Sequence, residues 1–126
     1  MGGMKCEKFF DEVKAALENE PEQYHVRCLN TDLNWMNRTA RKFWGYEVTR
    51  WSNAVRWISR RHVHKLEDAM SEAFKKPGSV QIVEIAAKIQ PHRSIPLVQK
   101  ITCARCESCP TQCAAIISIV EPLEQP

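Results

Sequence analysis

The chain is poor in glycine: four residues, two of them at positions 2 and 3. It has no glycine-rich loop to cradle a phosphate. No apolar stretch approaches the ~20 residues that cross a bilayer as a helix. The longest, residues 114–120, has the size of a strand. No apolar signal region follows Met1, which predicts a chain kept in a reducing compartment, cytoplasmic or otherwise intracellular. H-E-x-x-H, G-x-S-x-G and C-x-x-C-H are all absent, and these are common carriers of metal-assisted, hydrolytic and haem chemistry. Acidic pairs such as Asp11/Glu12 and Glu67/Asp68 read as solvated. The expectation is that the chain is not an enzyme.

What is present begins with length and charge. The 126 residues, 44% apolar and 26% charged, suit one domain with one ordinary core. The net charge of +3 is unevenly spread. Residues 36–65 carry eight basic side chains (Arg38, Arg41, Lys42, Arg50, Arg56, Arg60, Arg61 and Lys65) against Glu47 alone. Trp44, Trp51 and Trp57 lie in the same block. Guanidinium groups pair with phosphates in forked geometry and aromatic faces stack on bases. The block therefore predicts a nucleic-acid surface at Arg38, Arg41, Lys42, Arg50, Arg56, Trp57, Arg60 and Arg61. The plainer alternative is a solvated basic helix face above buried tryptophans.

Four of the six cysteines fall within eleven residues: Cys103, Cys106, Cys109 and Cys113, spaced C-x2-C-x2-C-x3-C. Thiolates packed this densely are usually metal or cluster ligands. The spacing resembles one half of a bacterial ferredoxin motif. That resemblance implies an iron–sulfur cluster on Cys103, Cys106 and Cys109, completed by Cys6, Cys28 or Cys113. Zinc on the four local cysteines is the simpler expectation, with His62, His64 or His92 as substitute ligands. A metal-free loop, or a disulfide such as Cys103–Cys113, remains open.

Residues 6–19 read as an amphipathic helix through Phe9, Phe10, Val13 and Leu17, ended by Pro21. Val26, Leu29, Leu33, Met36, Ala40 and Phe43 continue a helical stripe to Gly45, with Thr31 or Asp32 as a possible cap inside it. A third helical segment spans 47–76, bent at Ser59. Pro77-Gly78 ends it. Val83, Ile85, Ala87 and Ile89 then alternate as in a strand, and 95–102 and 114–120 are similar, separated by Pro91, Pro96 and the cysteines. The predicted fold is α+β: a mostly helical N-terminal two-thirds (about 6–76), then a small antiparallel β element with a cysteine-rich turn (about 79–121), in a single domain.

Residues 38–59 resemble a helix-turn-helix, with Gly45 in the turn. Val48-Thr49-Arg50-Trp51-Ser52-Asn53 is similar to recognition helices of phage-repressor-type regulators. The resulting expectation is a small nucleic-acid-binding regulatory or accessory protein with a structural zinc. A protein–protein adaptor with a basic helix, and a small iron–sulfur protein, are the alternatives. No membrane partner is expected; a protein partner or homo-oligomer is compatible.

Overall fold

The computed structural model describes residues 2–29, 31–45, 47–76, 78–90, 93–107 and 114–123. Five strands form one antiparallel sheet in the order β2-β1-β5-β4-β3. They are β1 Gln23–Cys28, β2 Asn34–Met36, β3 Gln81–Gln90, β4 Arg93–Arg105 and β5 Ala114–Pro122. Helix α1, Gly2–Leu17, precedes them. Between β2 and β3 come α2 Arg38–Trp44, α3 Trp51–Ala54, a 3₁₀ turn Val55–Trp57, and α4 Arg60–Lys75. The expected helical two-thirds with a small β appendage is thus corrected. The sheet is the central layer, and it takes strands from both ends of the chain.

The three C-terminal strands follow from β-branched alternation. Val83, Ile85 and Ala87 are buried on one face of β3, and Leu97 and Ile101 on the same face of β4. Pro96, expected to separate strands, lies within β4 opposite Ala86. Proline removes a ladder donor, but here the loss is harmless. The backbone groups of Ala86 bond outward, to Ser59 and His62. On its other side Pro96 faces the end of β5, where Leu123 N–H donates to its carbonyl.

Residues 23–36, expected to be helical, form the β1–β2 hairpin. Val26 pairs with Trp35 and His25 with Met36. The helical spacing of Val26 and Met36 does not mark a shared face. Val26 packs under α1, and Met36 packs under α2 and α4 on the opposite side. Thr31 does break the segment, its Oγ1 accepting from Leu33 N–H. Asp32 starts no helix of its own, since β2 follows it; its carboxylate instead accepts from Ser52 N–H of α3 at 2.9 Å and pairs with Ser52 Oγ. These bonds from Ser52 hold its carboxyl below the usual range.

The buried Asn37 ties four segments together. Its Oδ1 accepts from Ala40 N–H, capping α2, and from Tyr24 N–H on β1. Its Nδ2 donates to the carbonyls of Leu17 and Glu22, each at 2.9 Å. Gly45 ends α2 in the left-handed region, φ 76°, where glycine carries no Cβ penalty. The bend expected at Ser59 is present. Its cause is pairing with β3: Ile58 bridges Ala87, and Ser59 N–H donates to Ala86 C=O.

Alternation gives the sheet two working faces. On one, Val26, Cys28, Ala115 and Ile117 pack against Phe10, Val13 and Leu17 of α1. On the other, the odd-numbered residues of β3 and β4 and the even-numbered ones of β5 pack against α2 and α4. Leu66, Ala69, Met70 and Ala73 form the buried stripe of α4. Burying a Leu or Met side chain there stabilises by about 1.5–3 kcal/mol.

Candidate functional site

The second face does not close completely. A cavity of about 60 Å³ lies between it and the helices, and all five strands reach it. Strand β1 contributes His25 and Arg27, β2 Asn34 and Met36, and β5 Ile116, Ser118 and Val120. Strand β3 adds Ile85 and Ala87, and β4 Leu97 and Gln99. Trp44, Trp51, Trp57, Leu66 and Met70 close the helical side.

The wall is apolar with a few inserted polar groups, the usual make-up of a small-molecule site. Asn34 is buried and committed: its Nδ2 donates to Val48 C=O and its backbone N–H to Thr49 C=O, both at 2.9 Å. These bonds hold the 47–49 segment over the cavity. Gln99 and Ser118 are also buried. His25 is partly buried, with Nε2 sealed from solvent and without a hydrogen-bond partner among the described residues. Burial pushes its pKa down to about 4, so the imidazole is neutral at neutral pH. Arg27 stacks its guanidinium over Trp51 at 4.5 Å and sets Nη1 3.4 Å from the Met70 sulfur. Its Nε is sealed and has no hydrogen-bond partner among the described residues. Burial lowers its pKa, while Glu67 and Asp32 pull the other way.

The basic block is placed elsewhere, apart from its tryptophans. Arg38, Lys42, Arg50, Arg56, Arg60 and Arg61 are exposed. Arg41 is held by Glu18 at 3.0 Å and by Met36 C=O. Arg56 and Arg60 border a shared surface depression with Lys88. Trp57, expected to stack on bases, instead lines the cavity with Trp51. The expected recognition helix is absent as such. Residues 47–49 are not helical, α3 is a single turn, and a 3₁₀ turn follows. Arg50 pairs with Leu33 through an antiparallel bridge. This removes the helix-turn-helix.

Cys109, Cys113 and His92 lie outside the described residues, as does the side chain of Cys6. Cys103 is half-buried on β4, where burial raises its thiol pKa and the nearby Arg105 opposes the rise. Arg105 itself stacks on Phe74 and donates to Phe74 C=O. Cys106 is buried just past the end of β4. Cys28 packs under α1 on the opposite face of the sheet. His62 Nδ1 accepts from Ala86 N–H at 3.0 Å. Among the described residues no three His, Cys, Asp or Glu are grouped to hold a metal.

Sequence reasoning missed His25, Arg27, Asn34, Gln99 and Ser118. One cue was available: Ser118 is a lone hydroxyl inside an apolar strand.

No family model and no curated protein matches the chain. Solved structures do. The PAS domain of BvgS from Bordetella pertussis aligns with TM-score 0.63 and 9% identity, over 94% of this chain and 88% of that one. A light-oxygen-voltage domain described with a flavin analogue aligns at TM-score 0.62 and 8% identity, over 94% and 86%. An RNA-binding light-oxygen-voltage receptor aligns at TM-score 0.62 and 7% identity; the match covers 82% of this chain but 31% of that one. The expectation of a zinc- or iron–sulfur-bearing nucleic-acid-binding regulator is corrected by these neighbours and by the absence of a metal-ligand group among the described residues. No helix among the described residues is long and apolar enough to cross a membrane. The likeness shows the architecture: a five-stranded antiparallel sheet with helices packed against it, the PAS-like fold.

Proposed function

We propose that this chain is a sensing module, not a catalyst. A small molecule enters the cavity between sheet and helices, and a protein partner or second copy reads the occupied state. The observation that supports this is the cavity itself, reached by every strand and closed by three tryptophans. The wall bearing Trp51 and Trp57 is a helical turn and a 3₁₀ turn. Asp32 tethers one end of it, and Ala86 and Ala87 of β3 tether the other. A ligand pressing on either tryptophan therefore acts on an edge strand.

Flavin, suggested by the light-oxygen-voltage neighbours, does not fit the residues present. The cavity of about 60 Å³ is far below the ~300–1,000 Å³ of sites for larger ligands. The Asn34 carboxamide nitrogen is already committed to Val48, and no described cysteine lines the wall.

Thermal denaturation against a panel of small acids, amides, amines and heterocycles tests the reading. A true ligand at a hundredfold excess over its Kd should stabilise by about 2.7 kcal/mol. Ser118→Leu, which fills the cavity from β5, should abolish the shift. The reading fails if no compound stabilises the protein, or if Ser118→Leu responds as the wild type does.

A further inference from the structure

Resting on the cavity as a ligand site, we infer that its ligand is a small carboxylic acid. The carboxylate lies against Arg27 and His25, and the apolar body lies among Trp51, Trp57 and Met70. His25 and Arg27 are two residues apart on β1, so both project from one face, roughly 7 Å apart along the strand. Each leaves one sealed nitrogen without a hydrogen-bond partner among the described residues: Nε2 of His25 and Nε of Arg27. Buried polar atoms are normally paired, so two unmet atoms on residues that line one cavity point to a missing group.

The charge indicates its sign. No carboxylate among the described residues lies within ion-pairing distance of Arg27. The nearest acidic influences are Glu67 and Asp32, and Asp32 is engaged by Ser52. What surrounds Arg27 is an indole face and a thioether, neither of which neutralises it. A half-buried cation with no ion-pair partner is left partly uncompensated, and an anion entering the cavity relieves that cost.

The number of donors favours carboxylate over phosphate. The two unmet buried nitrogens, Arg27 Nε–H and a neutral His25 protonated on Nε2, match the two oxygens of a carboxylate, whereas a phosphate brings more oxygens and a second charge. Ordered water is the competing occupant. The volume of about 60 Å³ holds on the order of four to six waters at ~10–15 Å³ each.

The test compares acids with their own primary amides: acetate, propionate, benzoate and phenylacetate, titrated by tryptophan fluorescence. At least one acid should bind about tenfold or more tightly than its amide, because hydrogen bonds to charged groups are the stronger ones. Arg27→Gln should erase that preference, so that each acid binds no more tightly than its own amide. Arg27→Lys, which keeps the charge without the fork, should retain part of it. Amides that bind as well as acids would overturn the carboxylate assignment and leave the sensing module standing. Binding of neither class would leave water as the occupant, and the assignment would fall together with the cavity reading. The acid–amide comparison on the wild type decides the matter even if Arg27→Gln does not fold.

Discussion

His25 shows what the cavity asks of one residue. Its folded pKa of about 4 lies below the ordinary 6.5, because burial penalises the charged ring. Between those two values the unfolded chain takes up a proton that the folded chain refuses. The stability this group protects is full above pH 6.5, falls as the pH drops toward 4, and changes no further below that. At roughly 1.4 kcal/mol per unit the loss over the window is about 3 kcal/mol. His25→Gln has no such titration. Urea denaturation of both proteins between pH 7 and 4 should show a steeper decline for the wild type; equal slopes would refute a buried neutral imidazole.

Elements differ in how plainly their sequence announces them. Strands β3, β4 and β5 were legible, because β-branched residues alternate through 81–89, 95–102 and 114–120. Helix α1 was legible from Phe9, Phe10, Val13 and Leu17. Strands β1 and β2 were not. Their cavity-facing positions hold His25, Arg27 and Asn34, so the apolar alternation that marks a strand is broken there. Val26, Leu29, Leu33 and Met36 then imitate a helical stripe across a hairpin. The cavity itself was illegible for a related cause, since its lining comes from five strands far apart in the chain.

Edge strand β3 shows a similar long-range dependence. The Ala86 N–H points outward and is met by His62 Nδ1 at 3.0 Å, beside the Ser59 N–H to Ala86 C=O bond at 3.0 Å. His62→Ala should speed hydrogen exchange at Ala86 about tenfold or more, with the strand's β4-facing amides little changed. Unaltered exchange at Ala86 would mean that the histidine does not secure this edge.

At the scale of the whole molecule the sheet separates two environments. Helix α1 seals one side over β1 and β5, and the cavity opens on the other. The tryptophans report on this division. Trp44, Trp51 and Trp57 line the cavity, while Trp35 packs with the α1 cluster across the sheet. Indole N–H resonances in a nitrogen-15 correlation spectrum therefore test the central claim most directly. Addition of a ligand that stabilises the protein should move the signals of Trp44, Trp51 and Trp57 and leave Trp35 in place. A largest shift at Trp35, or no shift at any of the three cavity indoles, would contradict the account.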